Sequence, residues 1–303
     1  MSRVLLAASI ALALAACGRE SPPPPPPAEA PAAVAAEAPP EGAEDTVAGR
    51  IDALLAGAHR AEGHAARDRY RNPRETLLFF GIREDSRVLE ITPGGGWYAE
   101  ILAPLVREHG RYVGAVNDPA SVQNERMREY FAGQNQALRD KFAEHPGLYD
   151  RAELVAIDSA APVFGEPESM DLVLTFRNVH GWINGGNAEA MFRAAYDVLV
   201  PGGVLGVVQH RAASGSEYQR NGYVTEEMVI ELAEGAGFVY AQSSEINANP
   251  ADTRDHPNGV WNLPPTLRVA EGDDAEKYLA IGESDRMTIR FLKPERSDEV
   301  IED

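Results

Sequence analysis

The chain has 303 residues, 47 of them Asp or Glu against 28 Lys or Arg, for a formal net charge of −19. That balance excludes binding along a nucleic-acid backbone and adsorption on anionic lipid, both of which need clustered cations. The single cysteine, Cys17, excludes a disulfide framework and leaves no thiol nucleophile beyond it.

In chain order, residues 1–16 read as an export signal. Met1-Ser2-Arg3 is a short positive start, and Val4 to Ala16 is apolar but, at about thirteen residues, too short to span a bilayer. Leu14-Ala15-Ala16-Cys17 resembles the lipobox of bacterial lipoproteins, which implies that Cys17 carries lipid and ties the protein to a membrane. By resemblance to enterobacterial sorting, Gly18 points to the periplasmic face of the outer membrane. Residues 17–42, with the run Pro22 to Pro27, form an extended Pro/Ala-rich tether.

Residues 43–303 are long enough for one large α/β domain. Asp45 to about Arg69 has helical spacing, with Val47, Ile51, Leu54, Leu55 and Ala58 on one face. Asn72-Pro73 predicts an N-cap and first helical residue, and Arg74 to Phe80 a short helix closed at Gly81. These helices, within 43–85, precede a strand over Arg87 to Ile91. The glycine-rich turn Thr92-Pro93-Gly94-Gly95-Gly96 follows, then a helix from Ala99 to Glu108. That order of strand, tight turn and helix start is a nucleotide-binding arrangement in parallel α/β sheets; a helix-to-sheet packing turn without a ligand is the alternative.

The second strand is Tyr112 to Val116, ending at Asn117-Asp118-Pro119, where a ribose binds in dinucleotide folds; an Asx turn before proline is the alternative. A long helix covers Ser121 to about Glu144, and a third strand, Glu153 to Ile157, ends at Asp158. The fourth, Ser169 to Phe176, leads into Arg177-Asn178-Val179-His180. After a helix over Ala188 to Leu199, Pro201-Gly202-Gly203 turns into the fifth strand, Val204 to Val208, followed by Gln209-His210-Arg211. Thr225 caps a helix through Ala233, and Gly237 to Glu245 is the sixth strand. Residues 247–285 are an irregular, lid-like insert before the last strand, Arg286 to Leu292.

This order resembles the class I S-adenosylmethionine-dependent methyltransferases. The carriers are Val88-Leu89-Glu90-Ile91-Thr92-Pro93-Gly94-Gly95-Gly96, the acidic strand end at Asp158, Leu199-Val200-Pro201-Gly202-Gly203-Val204-Leu205, and Ala236-Gly237-Phe238. Arg69-Tyr70-Arg71-x-Pro73 resembles an exported branch of that family. The resemblance implies a Rossmann-like fold, a seven-stranded mostly parallel sheet with an antiparallel last strand, and S-adenosyl-L-methionine as cofactor. It implies that Glu90, Gly94 and Gly96 border the methionyl part, with Thr92 in the place of the family's first glycine. Asn117 or Asp118 then holds the ribose and Asp158 the adenine amino group.

Methyl transfer is an in-line substitution whose acceptor must lose a proton, and histidine is suited to take it. His180 and His210 follow adjacent strands at their carboxyl ends; His180 is read as base and His210 as a second polar contact, with Arg177 or Arg211 orienting an acidic substrate group. A metal site from Asp171, His180, His210, Asp255 and His256 is the competing idea, though metal-binding spacings are missing. No Gly-x-Ser-x-Gly elbow points to serine hydrolysis. The expected function is methyl transfer to a small molecule or envelope component; the alternative is a non-catalytic ligand-binding or scaffold lipoprotein on the same fold.

Overall fold

A computed structural model describes residues 41–296. Cys17, the export signal and most of the tether lie outside the described residues. The seven strands are β1 (Arg87–Ile91), β2 (Arg111–Asn117), β3 (Glu153–Ile157), β4 (Met170–Phe176), β5 (Leu199–His210), β6 (Val239–Ser244) and β7 (Arg286–Leu292). Their order across the sheet is β3-β2-β1-β4-β5-β7-β6, with β7 antiparallel to both neighbours and β1 to β5 mutually parallel. This is the expected Rossmann-like arrangement of class I methyltransferases.

Both faces of the sheet are covered, so β1 and β4 read as near-continuous apolar runs. Leu89, Ile91, Val113, Val173 and Val207 pack against helices Ala188–Val198 and Glu226–Gly235 on one side. Val88, Tyr112, Leu172, Leu174 and Val208 pack on the other against Glu41–Leu55, Pro73–Phe79 and Ala99–Val106. The alternation of neighbours in each strand between these two sets is the period-two geometry of a strand.

Register fixes what meets at the carboxyl end. Ile91 of β1 lies beside Thr175 of β4, and Phe176 lies beside Val208 of β5. The Arg177 N–H donates to the Val208 carbonyl at 2.7 Å, and the Asn178 amide donates to the Ile91 carbonyl at 2.9 Å. Thr92, Arg177 and His210 are thereby brought to one edge.

Three elements depart from expectation. The helix predicted from Asp45 to Arg69 ends at Leu55. Beyond it, His59 and His64 dock on Glu100: the His59 ring nitrogen lies 2.9 Å from the Glu100 carbonyl and the His64 Nδ1 lies 2.8 Å from its carboxylate. Glu100 is fully buried, and although burial raises its pKa, the hydrogen bonds from His64 and Lys141 outweigh that and bring it to about 2. This tertiary bond pins the segment beside the helix that follows the glycine turn. Asn72 does stand at the N-cap position before Pro73, but with a left-handed φ of 38° and no side-chain cap bond; its amide donates instead to the Ile246 carbonyl at 2.6 Å. Finally, β5 extends through His210, because Gln209 and His210 pair with Met287 and Arg286 of the antiparallel β7.

Candidate functional site

A cavity of about 430 Å³ opens where the carboxyl ends of β1, β4 and β5 meet the insert. The glycine turn forms one wall. Thr92, Gly94 and Gly96 have φ of 55°, 59° and 78°, and the Thr92 N–H donates to the Ala115 carbonyl at 2.8 Å. A β-branched residue in that region is strained by roughly 1–3 kcal/mol, so the turn keeps the backbone that glycine takes freely even where threonine has replaced it. A Cβ added at Gly94 or Gly95 would meet no protein atom within 4 Å, whereas a Cβ on Gly96 would come within 2.6 Å of Leu138 Cδ1. Gly94 and Gly95 thus border open space, and Gly96 is packed behind them.

Glu90, the last-but-one residue of β1, borders the cavity and is 2% exposed. Its carboxylate accepts from the Tyr112 hydroxyl at 2.7 Å and has no cationic partner among the described residues. Burial raises its pKa to about 7, against the lowering effect of the tyrosine. Beside it Tyr98 stacks on Phe176 at 3.5 Å between centroids, joining the end of the turn to the end of β4.

Both histidines border the cavity, with ring centroids 5.5 Å apart. Burial lowers both pKa values, that of His210 well below the usual range, so both rings are neutral near pH 7. The Gln209 Nε2 must donate to the Gly222 carbonyl at 3.0 Å, which orients the amide so that the same nitrogen donates to His180 Nδ1 at 3.2 Å. That places the His180 proton on Nε2, making the free nitrogen a donor. His210 Nδ1 is 2.5 Å from Ser284 Oγ, a hydroxyl able to donate or accept. With Nδ1–H donating to Ser284, His210 keeps a lone pair on Nε2.

The other sequence candidates divide. Arg177 lies on the cavity with φ of 66°. Arg211 does not border it; its guanidinium is held by Asp285 at 2.9 Å, Glu245 at 2.7 Å and Glu226 at 3.1 Å. Asn117, Asp118 and Asp158 do not border it either. Asp118 accepts from the Ala120 N–H and Asp158 from the Ala160 N–H, each at 2.9 Å, the Asx turn that was the alternative for the first. Asn117 serves through its carbonyl, which accepts from Asn135 at 2.9 Å. The proposed metal ligands are dispersed: Asp171 pairs with Arg87 at 2.6 Å at the amino end of β4, and His256 pairs with Asp252 at 2.8 Å. Among the described residues no group of three or more His, Cys, Asp or Glu converges as a metal site.

Several wall residues had no strong sequence signal. Tyr130 and Phe131 come from helix Glu125–Glu144, and Trp261, Pro264 and Pro265 from the insert. Arg67 and Arg71 reach the cavity from the short helical segments before β1. In sequence the Arg69-Tyr70-Arg71-x-Pro73 stretch is only a family resemblance, and nothing in it marks Arg71 as lining a cavity.

No protein-family model and no curated protein sequence matches the chain. Solved structures resemble it in fold. A SAM-dependent methyltransferase of Aquifex aeolicus is 15% identical, with a TM-score of 0.50 over 81% of this chain and 98% of its own. The cyclase SpnF is 16% identical, with a TM-score of 0.53 over 83% of this chain and 94% of its own. At such identity the likeness is one of fold, and the two names differ in reaction class.

Proposed function

We propose that the protein is an S-adenosylmethionine-dependent methyltransferase acting on a small molecule or envelope component, and that lipid on Cys17 anchors it outside the cytoplasm. The observation that carries this reading is the cavity itself: it stands where open α/β sheets bind ligands, between a left-handed glycine turn and a buried carboxylate. The residues fit such a cofactor. Glu90 lacks a cation, which the methionyl ammonium would supply, and Gly94 and Gly95 leave room for close approach. Thr92, Gly94 and Glu90 would hold the methionyl end, and the aromatic rings of Tyr130 and Phe131 stand on the same cavity for the base.

The cofactor supplies an electrophilic methyl group. Everything else falls to the chain. The insert, through Val260, Trp261, Pro264 and Pro265, walls the site from water. His180 donates from Nε2 and orients the acceptor, while His210 takes the acceptor's proton on Nε2, the reverse of the roles expected from sequence. A second reading, a ligand-binding module without turnover, is favoured by Asp118 and Asp158, whose carboxylates cap turns. Binding of S-adenosylmethionine, blocked by filling the cavity at Gly95, is the experiment that tests the proposed function.

The anchor has its own test. Cys17→Ser is expected to abolish incorporation of labelled palmitate and to move the protein from the membrane to the soluble fraction. Unchanged labelling of that variant would remove the lipid anchor from the account.

A further inference from the structure

The cavity is positively charged in a chain whose net charge is −19. Arg67, Arg71 and Arg177 border it, and Arg286 stands close behind, near enough that it lowers the pKa of both Arg71 and Arg177. One carboxylate serves this group. Glu283 binds Arg67 at 2.6 Å and Arg71 at 3.3 Å, and also pairs with Arg286. Burial raises the Glu283 pKa, but the arginines, Arg286 first, outweigh that and bring it to about 2, so it is fully ionised and fully engaged.

The arginines are nevertheless under-partnered. The Nη2 atoms of Arg67 and Arg71 are buried with no hydrogen-bond partner, and Arg71 as a residue is only 3% exposed. Arg71 rests on the Trp97 ring at 4.5 Å, beside the glycine turn. Arg177 has no carboxylate within ion-pair distance and no side-chain hydrogen bond among the described residues. Burial lowers its pKa, and Arg71 and Arg286 lower it further, well below the usual guanidinium range. Four guanidinia against Glu283, with Glu90 on the same cavity only partly ionised near pH 7, leave an uncompensated positive charge in a desolvated place, which costs the folded protein stability unless something negative joins it. Planar guanidinia with free N–H groups match the oxygens of a carboxylate or phosphate.

We propose that Arg67, Arg71 and Arg177 form an oxyanion subsite, and that the methyl acceptor carries a carboxylate, phosphate or sulfate group held there. The acceptor assignment rests on the methyl-transfer reading; the anion subsite does not. Arg177 belongs to the acceptor side because it leads, in sequence, into the short helix carrying His180, which shares the cavity with His210. An anionic acceptor anchored at Arg177 would present its reacting atom between the histidines and the glycine turn. The acidic surface then screens the site by charge, and only a ligand that reaches the arginines gains the full interaction.

The test is thermal unfolding of the purified full-length protein in sodium phosphate, against sodium chloride of equal ionic strength. Phosphate is expected to raise the wild-type Tm in a saturable way, since a ligand that binds only the folded state stabilises it. Arg177→Gln should unfold at or above the wild-type temperature without phosphate and need about tenfold or more phosphate for the same rise. Arg67→Gln provides a second variant with the same expected loss. Equal phosphate responses in wild type and both variants would overturn the subsite. Repeating the titration with saturating S-adenosylmethionine separates the sources of the anion. A persisting phosphate response supports the acceptor assignment; its abolition by the cofactor overturns it, because the arginines would then be holding the cofactor's own carboxylate. Absence of cofactor binding with an intact, Arg177-dependent phosphate response would remove methyl transfer and leave the anion subsite standing.

Discussion

Glu90→Gln is expected to make the cofactor-free protein more stable above pH 7 and to weaken its binding of S-adenosylmethionine. The Glu90 carboxyl is buried on β1 with only the Tyr112 hydroxyl as partner, and its pKa rises from the ordinary 4.5 to about 7. Between those two values the folded state holds a proton that the unfolded state has lost. Stability therefore falls as pH rises from 4.5 towards 7, and above 7 the full cost, about 3 kcal/mol, is present. Glutamine keeps an oxygen to accept from Tyr112 and carries no charge, so it escapes that cost. Urea unfolding of both proteins should show equal stability near pH 4 and a gap opening towards pH 8. Cofactor affinity should fall at least about tenfold, as expected when a charge-assisted hydrogen bond is lost. A stability difference that does not change with pH would show that Glu90 does not titrate as described.

The second large effect concerns the histidines. His210→Gln is expected to lower methyl transfer by about two to four orders of magnitude, the usual contribution of a positioned base, with cofactor affinity unchanged. His180→Gln, which removes only an orienting donor, should cost far less and act mainly on the acceptor's KM. Transfer of tritiated methyl from S-adenosylmethionine into an envelope extract provides the readout. Because burial holds the His210 pKa well below the usual range, the ring stays unprotonated as pH falls. Activity should thus persist at pH 6, where an ordinary histidine base would be largely protonated. A larger loss in His180→Gln than in His210→Gln would restore the roles expected from sequence.

The sheet was legible because its signals are local. The apolar run of β1, its glycine turn and the Pro201-Gly202-Gly203 stretch each announce themselves within a few residues, and the antiparallel last strand was implied by the family resemblance they carry. The site was legible only where it lies on that frame: Glu90, Thr92, Gly94, Arg177, His180 and His210 all border the cavity. Asp118 and Asp158 stand at strand ends, yet a carboxylate there can serve the next turn as readily as a ligand, and sequence does not distinguish the two. Arg71 could not be assigned, since what brings it to the cavity is its ion pair with Glu283, 212 positions away. The helix expected through Arg69 failed for a similar reason, because the buried Glu100 draws His59 and His64 out of helical register. The proposed histidine roles rest on Gln209, whose orientation is set by the Gly222 carbonyl, a bond without a sequence signature.

The central claim is that the cavity beside the glycine turn holds S-adenosylmethionine. Calorimetric titration of the wild-type protein and of Gly95→Leu tests it most directly. Gly95 borders the cavity, its φ lies outside the left-handed region, and a Cβ there meets no protein atom within 4 Å, so a side chain starts into open space and the variant is expected to fold. The account predicts binding of one cofactor per wild-type chain at submillimolar concentration and about tenfold or weaker binding by a Gly95→Leu protein of unchanged Tm. No binding by the wild type at millimolar cofactor, or equal binding by the two proteins, would contradict it.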